Sequence, residues 1–144
     1  MTQVDFYILE SDSEDARLRL ACQIADKAVQ QKQHVFINSA SDTEARKLDE
    51  LLWTFSQGSF IPHRIVQHEL PAPPQEPVII GLRQSPTCDR WDVMINLAAD
   101  VPEFFSRYQR VAELVDGNTT RREQSRERYR FYRDRGYQLN TLKV

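Results

Sequence analysis

The stretch "VDFYILES", residues 4–11, decides the fold, because it has the pattern of a strand that is covered on both faces and opens a βα unit. It is apolar, β-branched and aromatic, it ends in polar residues, and a helical period follows it. Ser11 with Glu14 predicts a capping box, so we expect a helix that continues to about residue 31. The apolar stripe of this helix consists of Leu18, Ala21, Ala25 and Ala28.

The same alternation continues along the chain. "HVFINS" at 34–39 repeats the strand signature, and Ser41 with Glu44 predicts a second capped helix. Strands alternating with helices predict one α/β domain over 1–144, a Rossmann-like three-layer α/β/α sandwich around a mostly parallel sheet of five or six strands. The remaining predicted strands are "HRIVQHEL" at 63–70, "PVIIGL" at 77–82, "WDVMINLA" at 91–98 and "RVAELVD" at 110–116, and the remaining helices are a short one from Pro102 and a last one over about 119–135, closed by Gly136.

The composition predicts a soluble protein of the cytoplasm. The chain has 144 residues, of which 40% are hydrophobic and 28% charged, and no apolar run approaches the roughly 20 residues that span a bilayer. The first residues lack the basic start and apolar stretch of a signal peptide, so we expect no membrane association. Two cysteines make no disulfide framework; we interpret Cys22 as a small core residue and Cys88 as an incidental thiol.

The sequence lacks the motifs that are typical of nucleotide, metal and serine-nucleophile sites. A Rossmann-like layout suggests a nucleotide, but the loop after the first strand, "ESDSEDA" at 10–16, has four acids and no glycine, which disfavours a phosphate. The histidines, His34, His63 and His68, have no metal-ligand spacing, and no G-x-S-x-G motif occurs. We therefore expect no cofactor, no metal, no catalytic residue and no enzymatic activity.

The positive charge of the chain is concentrated near its C-terminus. The formal net charge is -2 overall, yet residues 121–135 carry seven arginines against three acids, a net charge of +4, whereas residues 1–120 carry eleven basic and eighteen acidic residues, a net charge of -7. The stretch "SRERYRFYRDRGYQ" at 125–138 combines five of these arginines with four aromatic residues. The basic character of the chain is therefore local.

The spacing of this segment places planar cations beside a ring. One helix face is shared by residues that are separated by four, three and four positions: Arg122, Arg126, Tyr129 and Arg133. Val115, at the end of the preceding strand, is expected next to the start of this face. Guanidinium forks bind carboxylates in a bidentate way, which suits an acidic peptide or a C-terminal carboxylate. The alternative is a solvated helix face with ion pairs three residues apart, from Glu123 to Arg126 and from Glu127 to Arg130.

A second candidate surface lies in "LDELLWTFSQGSFIPH" at 48–63. If Leu48, Leu52 and Phe55 point inward, Trp53 is turned about 100° from Leu52 and leaves the buried stripe. Phe60 follows a turn that contains glycine. Two such rings on neighbouring elements suggest an anchor surface for a partner protein. The alternative is that both rings cap the core.

At these two stretches the sequence resembles the chi subunit family of bacterial DNA polymerase III holoenzyme. The resemblance runs nearly end to end in the correct order, and it rests on "FYIL" at 6–9, "KLDELLW" at 47–53, "SFIPH" at 59–63 and "RERYRFYRDRGYQLNT" at 126–141. It implies a non-catalytic accessory subunit of the clamp-loader complex, which acts in DNA replication and repair. The implied partners are the psi subunit, the acidic C-terminal tail of single-stranded DNA-binding protein and a DinG-like helicase.

The resemblance also implies site residues. It implies a pocket for the tail at Val115, Arg122, Arg126 and Tyr129, and a surface for psi or the helicase at Trp53 and Phe60. In this interpretation the arginines meet the tail and its terminal carboxylate, while apolar surface shelters its terminal phenylalanine. The alternative function is direct binding of single-stranded nucleic acid, with the arginines on phosphates and the rings on bases. The overall acidity argues against strong binding of that kind.

Overall fold

The computed structural model describes residues 1–56, 58, 61–66, 75–82 and 91–144. Its seven strands are β1 Gln3–Ile8, β2 Val35–Asn38, β3 His63–Val66, β4 Val78–Gly81, β5 Val93–Asn96, β6 Arg110–Val115 and β7 Gln138–Lys143. They form one parallel sheet in the order β3-β4-β2-β5-β6-β1-β7. The α/β prediction is confirmed, although the sheet is larger than the five or six strands expected.

Helices cover both faces of the sheet. The helices are α1 Glu14–Gln30, α2 Asp42–Thr54, a 3₁₀ helix Glu103–Arg107 and α3 Thr119–Asp134. On one face, α1 and α2 pack on alternate strand residues such as Ile37, Ile80 and Ile95. On the other face, the strand residues between these, such as Phe36 and Met94, pack with the 3₁₀ helix and α3. Because side chains alternate between the faces of a strand, a continuous apolar strand supplies both cores.

The capping residue of α1 differs from the prediction. The helix begins at Glu14 and its N-cap is Ser13, whose hydroxyl accepts a hydrogen bond from the Ala16 N–H at 3.4 Å. Ser11 is too far from the first turn to bond to those N–H groups, and its hydroxyl instead accepts from the Ser13 N–H at 3.1 Å. The prediction that Ser11 caps this helix was therefore wrong by two residues.

The cap of α2 is the one predicted. Ser41 accepts from the Glu44 N–H at 3.1 Å. Glu44 reaches back to the Ala40 N–H at 2.8 Å rather than to that of Ser41, and its other oxygen pairs with Arg17 at 3.1 Å. This ion pair is buried, and it ties the N-terminal part of α2 to α1.

The strand β7 is the element that sequence patterning missed. Gly136 closes α3 with φ of 78°, as predicted, and β7 then runs beside β1 at the end of the sheet. Its residues are mostly half-buried or exposed, because an edge strand has one neighbour and needs little apolar surface. It therefore lacks the continuous apolar run that identified the central strands.

A buried polar network joins α3 to the centre of the sheet. Glu113 in β6 is fully buried, and its carboxylate accepts hydrogen bonds from Arg128 Nε at 2.9 Å and from the Tyr132 hydroxyl at 2.7 Å. It also accepts one from Asn96 Nδ2 at 3.0 Å. Arg128 Nη1 donates to the Ala99 carbonyl at 3.0 Å. The network sets where α3 lies over the sheet.

Cys22 occupies the core position expected for it. Its side chain is fully buried in α1, and this burial raises the pKa of Cys22 to about 12. The thiol is therefore protonated at neutral pH and acts as a small apolar group. Cys88 lies outside the described residues. None of the helices in the described part of the chain is long and apolar enough to cross a bilayer.

We expect Glu113→Gln to lower the free energy of unfolding by about 3 to 5 kcal/mol, because it leaves the buried Arg128 guanidinium without a counter-charge. Urea unfolding followed by circular dichroism measures the loss. The matched control is Glu103→Gln, at an exposed position in the 3₁₀ helix, which should change stability by less than about 0.5 kcal/mol. Equal, small losses in the two variants would show that α3 is held by apolar packing alone.

Because of Tyr132, we expect the free energy of unfolding to depend on pH in the alkaline range. Burial and then the adjacent charge of Glu113 raise the pKa of Tyr132 far above its usual value, so the folded protein keeps a proton that the unfolded chain releases above about pH 10. The stabilisation is complete below that pH and is lost as pH rises. Tyr132→Phe should be about 1 to 3 kcal/mol less stable at neutral pH, and the difference from wild type should narrow in denaturant titrations above pH ~10. A difference that stays constant contradicts this.

Candidate functional site

The start of α3 is fixed by the turn that follows β6. Asn118 is the N-cap and accepts a hydrogen bond from the Arg121 N–H at 3.0 Å. The Gly117 N–H donates to the Ser11 carbonyl at 2.8 Å, and a Cβ at Gly117 would lie 2.8 Å from the Glu10 carbonyl oxygen. Only glycine fits this close approach, so the loop after β1 and the start of α3 are held together.

A cleft of about 270 Å³ opens between α3 and the sheet, and it contains the four residues predicted as one site. Sequence reasoning missed its other lining residues because they come from β1, β7 and the hidden side of α3. The order of the strands, which places β1 between β6 and β7, was needed to find them. The lining consists of Phe6, Ile8, Val115, Arg122, Ser125, Arg126, Tyr129 and Thr141.

The two arginines of the cleft differ from their neighbours in α3 in how their charge is compensated. Within the described residues, neither Arg122 nor Arg126 makes an ion pair or a side-chain hydrogen bond, and both are exposed. The ion pair expected between Glu123 and Arg126 in a solvated helix face is not formed. The other expected pair, from Arg130 Nη1 to Glu127 Oε1, is formed at 2.7 Å.

The neighbouring arginines of the segment are already occupied. Four other arginines between residues 119 and 135 form ion pairs with carboxylates of this chain. A fifth, Arg135, lies over the Phe131 ring with its Cζ 3.6 Å from the centroid. The unneutralised charge of α3 therefore lies at the cleft. The paired arginines are Arg121 with Asp116, Arg128 with Glu113, Arg130 with Glu127 and Arg133 with Asp134.

An apolar floor lies beside these charges. The ring of Tyr129 packs edge-on against Phe6, with centroids 5.2 Å apart, and remains 36% exposed. Val115 and Ile8 complete the floor from the ends of β6 and β1. A site with two unpaired guanidinium groups beside a small apolar recess can bind a carboxylate and the hydrophobic side chain next to it.

Trp53 lies at the other end of the sheet and outside the buried stripe, as its spacing predicted. It is 51% exposed on α2, whereas Leu52 is fully buried. Its ring centroid is 4.7 Å from that of His63 in the edge strand β3. Phe60 lies outside the described residues, so its relation to Trp53 stays a prediction.

The carboxyl ends of β2, β5 and β6 form the crevice in which α/β proteins bind nucleotides. Here the basic side chains at that edge are held by acids of the same chain: Arg17 by Glu44 at 3.1 Å and Arg128 by Glu113 at 2.9 Å. Within the described ranges, histidine, cysteine and acidic residues form no group of three suited to a metal ion. This edge therefore offers little free positive charge to a phosphate.

Comparison with known proteins gives consistent results. The family model described as DNA polymerase III chi subunit, HolC, matches residues 1–140. A protein named DNA polymerase III subunit chi from Pseudomonas aeruginosa is 40% identical over 139 residues, which cover 96% of this chain and 94% of that protein. The protein of that name from Escherichia coli K12 is 31% identical over 147 residues, covering 98% and 97%.

A third relative, the DNA polymerase III subunit chi of Haemophilus influenzae, is 28% identical over 139 residues and covers 96% of this chain and 95% of its own length. The matched residues include every strand and helix that the structure describes up to the last residues of β7. The resemblance found in the separate motifs therefore extends over the whole fold. The chain belongs to the DNA polymerase III chi subunit family.

Proposed function

We propose that this accessory subunit of DNA polymerase III is a non-catalytic adaptor. It links the psi subunit, and through it the clamp loader, to the acidic C-terminal tail of single-stranded DNA-binding protein. The observation that carries the proposal is the arginine cleft, defined by Val115, Arg122, Arg126 and Tyr129. Its two guanidinium groups belong to the arginines of α3 that have neither a carboxylate nor a ring as partner among the residues that the structure describes.

The chemistry of the cleft fits the end of an acidic peptide. A terminal carboxylate can accept two hydrogen bonds from the N–H groups of one guanidinium. A second cation nearby favours acidic residues that precede the peptide terminus. The recess over Phe6 and Val115 is of a size for one aromatic or aliphatic side chain, which suits a terminal phenylalanine. Binding there covers positive charge that the described part of the chain does not pair with a carboxylate.

The arrangement favours a peptide over single-stranded nucleic acid. A strand of nucleic acid needs a row of cations and several exposed rings on which bases stack. Of the four rings on this segment, Tyr132 is fully buried, and Phe131 and Tyr137 pack against Phe105 at 5.6 and 5.1 Å. Of these four rings only Tyr129 is exposed, so this helix face offers one ring on which a base can stack.

The psi subunit is assigned to the surface around Trp53. An exposed tryptophan is a frequent anchor of protein interfaces, and this ring lies beside an edge strand at the opposite end of the sheet from the arginine cleft. A DinG-like helicase is a second candidate for the same surface. The distance across the sheet lets one molecule hold a partner at each end.

We expect Arg126→Ala to weaken binding of a synthetic acidic peptide that ends in phenylalanine by about 2 to 5 kcal/mol, roughly 30-fold or more. Arg126→Lys should also bind poorly, because an ammonium group cannot reproduce the planar fork. Isothermal titration calorimetry measures the affinities. Binding should weaken with added salt and fail when the peptide carboxylate is amidated.

The matched control is Arg133→Ala, an exposed arginine of the same helix that pairs with Asp134 and does not line the cleft. It removes the same charge from α3 and should change the affinity less than about threefold, since surface pairs contribute little. Equal affinities of the wild type and Arg126→Ala for the peptide would contradict the assignment of the cleft.

Trp53→Ala should weaken psi binding by about 2 kcal/mol or more, roughly 30-fold, because the ring is an interface anchor rather than part of the core. Surface plasmon resonance with immobilised psi measures this, and thermal unfolding should remain cooperative. Arg126→Ala is the reciprocal control: it should keep psi binding, just as Trp53→Ala keeps peptide binding. If Trp53→Ala unfolds the domain while the folded fraction binds psi normally, the ring is structural.

A further inference from the structure

The edge strand β7 carries a row of backbone groups with no partner in the described part of the chain. Val144 N–H donates to the Ile8 carbonyl at 3.0 Å. The backbone N–H and C=O groups of the even-numbered residues in this segment therefore point toward β1. Backbone groups alternate in direction along a parallel strand, so the N–H and C=O groups of Leu139, Thr141 and Lys143 point away from the sheet. These six groups form an open edge.

The same three residues turn their side chains toward α3. Leu139 packs in the α3-side core and Thr141 lines the arginine cleft, so by alternation Lys143 lies on that face too. Lys143 is exposed and forms no ion pair with any described residue. Thr141 thus belongs both to the cleft and to the open edge.

We propose that a peptide whose terminal residue occupies the arginine cleft continues along β7 as an added strand, paired with the outward backbone of Leu139, Thr141 and Lys143. This inference rests on the proposed function of the cleft and extends it to the residues that precede the peptide terminus. Main-chain bonds to an open edge give affinity without demanding particular side chains. Alternate peptide side chains would face Lys143, which favours acids there.

Charge selects the occupant of the edge. Arg122, Arg126 and Lys143 lie on the same side of the sheet, and none of the three forms an ion pair with another residue that the structure describes. An acidic peptide is complementary to them. A second copy of this chain, added edge to edge, would bring two such cationic rims together, which like-charge repulsion opposes.

The test compares two synthetic peptides on the full chain: a ten-residue acidic peptide ending in phenylalanine and its last three residues alone. Two further versions of the ten-residue peptide carry N-methyl groups on backbone amides that precede the last three residues. One version is methylated at the odd-numbered positions and the other at the even-numbered positions. Methylation of an amide removes its N–H and leaves the charge of the peptide unchanged. We expect the ten-residue peptide to bind about tenfold more tightly than the short one, and one methylated version to lose that gain. The other version should bind within about twofold of the unmodified peptide, because alternate N–H groups of a strand face its partner.

Amide hydrogen exchange of the protein gives a second measurement. The ten-residue peptide should slow exchange at Leu139, Thr141 and Lys143, whereas the three-residue peptide should not. Asn140 and Leu142, which already face β1, serve as internal controls. If the short peptide binds but the methylated versions lose affinity equally or not at all, strand addition is overturned and the cleft assignment stands. If neither peptide binds, both proposals are overturned.

Discussion

The buried carboxylate of Glu113 is the constraint on which the geometry of the site depends. It lies in the middle of the sheet with three hydrogen bonds from Arg128, Tyr132 and Asn96. A buried charge is tolerated only when it is paired, so α3 has to present Arg128 and Tyr132 to the sheet at that point. Once that face of the helix is fixed, Arg126 and Tyr129 are directed to the cleft.

The arginines of α3 therefore have two roles that the sequence does not distinguish. Arg128 is buried and structural, whereas Arg126, two residues earlier, is exposed and forms no ion pair with the residues that the structure describes. Their difference comes from helix rotation relative to Glu113, and neither residue type nor local charge encodes it. A cation that the fold leaves without a partner is a stronger indication of a ligand than a high count of cations.

Much of the fold followed from local patterns. Continuous apolar runs identified the central strands, and the stripe that includes Leu48 and Leu52 correctly left Trp53 outside the core. The contributions of Phe6 and Thr141 to the cleft were not accessible in this way. They depend on β1 lying between β6 and β7, and strand order is set by packing between segments far apart in the chain.

That strand order also bears on how the protein is made. Strand β1 is synthesised before the other six strands, yet both of its neighbours in the sheet lie beyond residue 109. It stays without its hydrogen-bonded neighbours until β6, Arg110–Val115, has been synthesised, and the large sequence separation makes its pairing a slow step of folding. Because Phe6 and Ile8 line the arginine cleft together with Thr141 of β7, that cleft is completed only after β7 has been synthesised, whereas the half of the sheet that lies near Trp53 can form earlier.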